Sequence, residues 1–240
     1  MDVLNHSLLD SKQSNFPMLS QNVAERLNKL RQWNQSLRES QSSNDTQWKE
    51  LIAMIDYQCQ CVKSFLQGIH HLPGVTGESN ELWLEPRGET LIIIDESMPA
   101  VALGAALCAA LASDNPVRLS VHPDLQSYQQ GCLDQLLGRF INKERVVTFD
   151  YNDWRNQLKE PSVKVACIAA KESMLIEANQ VLANREGPVV ILLHDSDPML
   201  PSFSTPTFCL GFNTEKTCTI NTTAIGGNAS LLEMGAGMKV

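Results

Sequence analysis

Three places in the sequence gather side chains that could do chemistry. Asp95 and Glu96 follow the apolar run ETLIII, His194 stands with Asp195 and Asp197 at the end of PVVILL, and TCTINTTAIGGNAS fills residues 217 to 230. A nucleotide would enter an open α/β sheet at the carboxyl end of its first strand. There Asp95 and Glu96 occupy positions that a dinucleotide turn gives to glycine, and neither GxGxxG nor GxxxxGK[ST] occurs in the chain. Two carboxylates repel a pyrophosphate, and with Ser97 they read as a cap for the helix that follows. His194 is the best acid or base among the five histidines, because a neighbouring carboxylate can orient an imidazole. Adjacent strand residues point to opposite faces, however, so HDSD reads as a solvated loop. No GxSxG nucleophile elbow is present.

The third stretch could be a phosphate nest built on Gly226-Gly227. No helix with an apolar face follows it, so it reads instead as a strand that pairs outside its own domain. Thr219, Asn221, Thr222, Thr223, Gly226, Gly227, Asn228 and Ser230 then form an interaction flap, with the glycines giving a turn or a close approach. The seven cysteines are odd in number and do not form a disulfide framework. Cys59 and Cys61 are two apart in a helical pattern, on different faces, which disfavours a shared metal; Cys108 and Cys167 sit in apolar runs as small core residues. No metal site is expected.

These groups must be positioned by the rest of the chain. At 240 residues and 43% hydrophobic it can bury an ordinary core. A net charge of -8 with scattered basic residues disfavours nucleic acid and anionic membranes as partners. The run from 98 to 113 is too short to span a bilayer, and the acidic N-terminus lacks a signal peptide's apolar core, so the cytoplasm is expected. Residues 1–19 read as a loose leader. Val23, Leu27, Leu30, Trp33 and Leu37 recur at helical spacing, as do Trp48, Leu51, Ile55, Cys59 and Val62, which predicts a helical hairpin over 20–71. From 72 to 206 strands alternate with helices. ETLIIID, VRLSVH, RVVTFD, VKVACIAA and PVVILLHD are the strands of a Rossmann-like, doubly wound parallel sheet of about five strands. TFCLGFN and KTCTINTT are expected as the two strands of a β-hairpin flap over 207–240, with Asn213 near the turn.

Two motifs carry a family resemblance. LPGVTGESNELWLEPRG at 72–88 and INTTAIGGNASLLEMG at 220–235 are similar to signature segments of the C-terminal, aldehyde-dehydrogenase-superfamily domain of long proline utilization A proteins. Those are bifunctional proline dehydrogenase and pyrroline-5-carboxylate dehydrogenase enzymes. The resemblance covers roughly residues 20 to 240. An active aldehyde dehydrogenase has a nucleophilic Cys after a glycine-rich turn, a general-base Glu in an ELGG context and a cofactor-gripping Lys-Pro after the second strand. Here only His122-Pro123 follows that strand, so the proline matches and the lysine does not; the other two segments are missing. The resemblance therefore implies a noncatalytic domain without a cofactor, which covers the dehydrogenase active site or tunnel and uses its flap for that contact or for self-association. Its implied partner is a proline utilization A or pyrroline-5-carboxylate dehydrogenase protein. The alternatives are an NAD-dependent dehydrogenase, with His122 and Pro123 as cofactor contacts, and a small-ligand module with a vestigial nucleotide crevice.

Overall fold

The computed structural model describes residues 19–221 apart from 42, 43, 67 and 76. The expected leader lies outside the described residues up to position 18, as does the flap sequence beyond Asn221. Two antiparallel helices open the fold, α1 (Leu19–Ser40) and α2 (Thr46–Phe65). Asp45 caps α2 by accepting the Gln47 amide at 2.9 Å. The apolar positions predicted from the helical spacing are buried, from Val23 to Leu37 on α1 and from Trp48 to Val62 on α2, while Phe65 at the end of α2 is half-buried. Trp33 is fully enclosed, and its indole N–H donates to the Cys132 carbonyl at 3.0 Å, which pins α1 to the body of the domain.

A short strand β1 (His70–Leu72) and a long one, β2 (Glu78–Pro86), precede the sheet proper. Then β3 (Glu89–Ile94), α3 (Val101–Ala112), β4 (Val117–Val121), α4 (Gln126–Leu136), β5 (Val146–Thr148), α5 (Trp154–Lys159), β6 (Val163–Ala169), α6 (Glu172–Ala183) and β7 (Ile191–Asp195) alternate. The five strands lie in the order β5-β4-β3-β6-β7, all parallel. The first strand in sequence is thus central, and the order reverses between β3 and β6. Alternation along β3 shows why both sheet faces must be covered. Ile92 and Ile94 join the core beneath α3, α4 and the helical hairpin, whereas Leu91 and Ile93 join the core beneath α5 and α6.

Helix α3 determines how closely these layers can approach. All but the first of its residues are buried, and most are Ala, with Gly104 and Cys108 among them. It is enclosed between the sheet and α2. A Cβ at Gly104 would meet the Leu51 carbonyl oxygen at 3.0 Å, so the spacing of the two helices is set at a backbone.

The described residues end with a 3-10 turn at Phe208–Phe212 and the strand β8 (Asn213–Asn221), and here one expectation is corrected. TFCLGFN is not the first strand of a hairpin. Phe208 and Phe212 are four apart and both buried, with rings 5.2 Å apart edge-on, and Phe208 stacks on Phe203 at 4.6 Å. That spacing suits a helical turn rather than alternation. The antiparallel partner of β8 is β2, in register from Glu78 opposite Asn221 to Pro86 opposite Asn213. The flap is therefore a three-stranded sheet in the order β1-β2-β8, and Asn213 begins a strand instead of making a turn. Among the described residues no helix is long and apolar enough to cross a membrane.

Replacing Gly104 by Val would drive three carbons toward the Leu51 backbone. The expected cost is about 1–3 kcal/mol, read as a lower urea midpoint with an unchanged slope. An unchanged midpoint would show that α2 and α3 can separate freely.

Candidate functional site: the strand-exit crevice and the flap

The crevice lies where the sheet order reverses, at the carboxyl ends of β3 and β6. Asp95 leaves β3 with its backbone N–H donating to Ala169 at the end of β6, 2.9 Å away. Its carboxylate is buried and has two donors, the Ser97 amide at 2.9 Å and the Tyr151 hydroxyl at 2.6 Å. Tyr151 follows β5 and is half-buried. Its hydroxyl also lies 3.4 Å from the Met174 sulfur in the first turn of α6. The ring thus reaches from the exit of β3 to the start of α6, across the space a nucleotide would need.

The electrostatics suit a closed crevice. Burial alone would raise the Asp95 carboxyl, but hydrogen bonds from Tyr151 and Ser97, with Lys171 nearby, outweigh it and hold the group below its ordinary value. Burial first, then the bond to the Asp95 carboxylate, push the Tyr151 phenol well above its usual range. The phenol therefore remains a donor and the carboxylate an acceptor throughout the neutral range.

The expectation that Asp95, Glu96 and Ser97 cap the next helix needs correction. Asp95 caps the turn at Ser97, while the N-cap of α3 is Ala100, which has no side-chain oxygen to offer. The Ala100 amide is taken by the Gln47 side chain of α2, 3.0 Å away. An anion approaching the helix at this point would find that N–H occupied.

His122 and Pro123 follow β4 beside this crevice. The His122 amide donates to Ile94 at 2.9 Å, and the imidazole sits edge-on to Tyr151 with centroids 5.0 Å apart. Its Nδ1 accepts the Asp124 amide at 3.3 Å, which leaves Nε2 to donate to Glu96, 3.0 Å away. Pro123 is exposed and opens the next 3-10 turn. Glu96, His122 and Asp124 bring one donor atom each within 4.8 Å of one another, a set that offers oxygen and nitrogen to a hard cation. In the structure Glu96 is paired with His122 Nε2, and the Asp124 carboxylate stands 3.7 Å from Nδ1.

The second predicted cluster is not assembled. Asp195 is buried, and one carboxylate oxygen accepts the amides of Ser202 and Phe203, both at 2.9 Å. His194 is exposed on the other side of the strand, and Asp197 caps the amide of Met199 at 2.9 Å. Asp195 organises the loop after β7 rather than orienting an imidazole.

A thioester mechanism needs an accessible thiolate. Cys167 lies mid-strand and fully buried, with its thiol driven well up by burial, and burial likewise raises Cys132. Burial takes Cys209 to about 12. Cys59 faces Cys108 at 3.7 Å between α2 and α3; their shared hydrogen bond lowers the first thiol and raises the second, with both enclosed. Cys61 is buried, and Cys218 is half-buried on β8 opposite Glu81.

The flap is fastened at its root. Asn115, after α3, accepts the Gly88 amide at 2.8 Å and donates to the Phe212 carbonyl at 2.9 Å. Asn213 donates to Ser113 and to the Cys209 carbonyl. Farther out β8 is open: from Glu215 to Asn221 every residue is exposed except the half-buried Cys218, whereas its partner β2 is half-buried along most of its length and Leu84 packs on the main core. Thr219 pairs with Asn80 and Asn221 with Glu78, so these two expected flap residues lie on the ribbon. Thr222, Thr223, Gly226, Gly227, Asn228 and Ser230 lie outside the described residues.

No family model matches the chain. The bifunctional protein PutA of Rhizobium meliloti is 28% identical to it over 167 residues, 68% of this chain and 12% of that protein. A variant of proline utilization A from Bradyrhizobium japonicum superposes with a TM-score of 0.65 at 20% identity, over 78% of this chain and 20% of that one. The chain shares its fold with that proline utilization A structure. An NAD-dependent benzaldehyde dehydrogenase from Corynebacterium glutamicum shares the fold at 13% identity and a TM-score of 0.61, over 73% of this chain and 41% of that one. In this fold, residues 196–212 join the last parallel strand to the flap strand. Sequence reasoning missed Tyr151 and Gln47. Tyr151 stands just past a strand exit, where functional groups collect, and that was its one local signal.

Replacing Tyr151 by Phe should cost about 1.5–3 kcal/mol near neutrality, because a buried carboxylate loses a donor. The depressed Asp95 value means that its contribution is present above about pH 3.9 and fades as pH falls through the folded-state value. The raised phenol value means that the bond persists to at least about pH 10. The wild-type and Phe stabilities should therefore differ between these limits and converge in acid. A difference that does not vary with pH would contradict the assignment.

Proposed function

We propose that this chain is a noncatalytic, aldehyde-dehydrogenase-like module of proline catabolism that docks through its flap on a pyrroline-5-carboxylate dehydrogenase and covers its active site or tunnel. The observation that carries the reading is the flap itself. The outer part of β8 is exposed on both faces, and such a strand gains stability when another surface covers it. Among the described residues β8, like β1, is an outer strand, with one edge turned away from β2. Thr217, Thr219 and Ile220 are exposed there. The same surface could join two copies of the chain.

The absence of catalysis rests on two features. The described thiols are buried or lie on the flap, away from an oxyanion-stabilising turn. Tyr151 engages the Asp95 carboxylate and Gln47 the Ala100 amide at the strand exits, and the proposed role requires no cofactor. The link to proline catabolism comes from the likeness to PutA, of which the chain spans only a small part. A site of action in the cytoplasm accords with the acidic, non-membrane character of the sequence.

The test is co-elution and pull-down with the cognate proline utilization A protein. The wild-type chain should form a complex, and Thr217→Lys with Thr219→Lys should weaken it about tenfold or more while leaving the thermal midpoint near its original value, because edge lysines block strand addition. No complex, together with NAD-dependent turnover by the isolated chain, would overturn the proposal in favour of a dehydrogenase.

A further inference from the structure

The parallel sheet has two margins, and they differ. Strand β5 ends one side with three residues, Val146–Thr148, too short to template another chain well. Strand β7 ends the other with five, Ile191–Asp195, led by Ile191, Leu192 and Leu193. All three are half-buried, in a sheet whose inner strands β3 and β6 are buried almost throughout. Strand β7 carries no lysine, proline or bulge, the devices that blunt an edge. Exposed aliphatics flank it: Val189 before the strand is 89% exposed and Ile176 on α6 is 54% exposed.

Backbone direction identifies which groups stand on the open side. The Ala170 amide donates to the Asp195 carbonyl at 3.1 Å, so Asp195 aims its backbone groups toward β6. Alternation along an extended strand gives Ile191 and Leu193 the same direction and turns the N–H and C=O of Leu192 and His194 outward. Among the described residues no backbone group bonds to them there. A groove of about 380 Å³ lies beside this edge, between Leu192, Leu193 and His194 on the strand and Thr205, Phe208 and Gly211 on the returning chain.

We propose that this edge pairs with β7 of a second copy of the chain, antiparallel about a two-fold axis through Leu192, so that two five-stranded sheets become one. In that register the outward groups of Leu192 meet those of Leu192 in the second copy, and the outward groups of His194 meet Val190. Ile191 of the second copy falls opposite Leu193, at the groove. Charge selects the direction: antiparallel pairing sets His194 against Val190 and Asp195 against Val189, whereas an unshifted parallel pair would stack each on its own kind. A two-fold contact is self-complementary and closes at two chains, so the open edge is used up without forming a fibre. The flap lies in the other sheet, and this inference does not depend on what docks there.

Sedimentation of the full chain tests the inference. The wild type should form a dimer with a dissociation constant of about 10 μM or tighter. His194→Pro removes an outward N–H while keeping the ladder to β6, and it should weaken the dimer about tenfold or more with an unchanged circular dichroism spectrum. Leu192→Cys gives a second reading that does not need the proline variant to fold. Residues facing each other in a hydrogen-bonded antiparallel pair have Cα atoms about 5.5 Å apart, within disulfide reach, so mild oxidation should link two chains of this variant and leave the wild type unlinked. Thr217→Lys with Thr219→Lys, on the flap, should leave the dimer intact. A monomeric wild type, a dimer that persists in folded His194→Pro or is lost in the flap variant, or no link through Leu192→Cys would each overturn the inference, and none of these results bears on docking to a dehydrogenase.

Discussion

The closeness of α2 and α3 is the constraint on which the rest of the structure depends. Helix α3 is enclosed on all sides, so it must be built from residues small enough to let a sheet and a second helix approach it together. That enclosure makes the helical hairpin part of the core instead of an appendage. It also brings α2 near enough for Gln47 to reach the Ala100 amide and for Cys59 to face Cys108. At its other end α3 leads into Ser113, Asp114 and Asn115, whose hydrogen bonds fasten the flap root and hold Arg145. One helix thus sets the state of the crevice and the direction of the flap.

The two ends of the sheet differ in a way that the fold alone does not require. At the carboxyl ends, where α/β sheets bind nucleotides, the groups present satisfy one another: Tyr151 with Asp95, His122 with Glu96, and Gln47 with the helix terminus. At the amino ends the buried Nη1 of Arg26 is left without a hydrogen-bond partner. The hydrogen bonds close the strand exits and leave the outer part of β8 exposed, which is the basis for proposing a docking module.

Much of the fold was legible because burial leaves a period in the sequence. The spacing of Val23, Leu27, Leu30, Trp33 and Leu37 marks one helix face, and the unbroken run Leu91–Ile94 marks a strand covered on both sides. The flap was misread at Phe208 and Phe212, where helical spacing inside an alternating segment was decided by packing on Phe203. Its true partner, Glu78–Pro86, lies so far back in the chain that no turn fixes the register. The crevice was half legible. The carboxylates at 95 and 96 pointed away from dinucleotide binding, but Tyr151 reaches Asp95 from 56 residues away and Gln47 reaches Ala100 from 53, and neither leaves a local pattern. HDSD reads as a solvated loop, but Asp195 is buried, because its ligands are backbone amides supplied by the following loop.

Hydrogen exchange across Asn213–Asn221, measured with and without the cognate dehydrogenase, tests the central claim most directly. The account predicts that these amides exchange quickly in the free chain and become protected in the complex, while amides beside Asp95 and Tyr151 are indifferent to added NAD. Unchanged exchange in β8 on mixing, with NAD-dependent protection at the crevice, would contradict it.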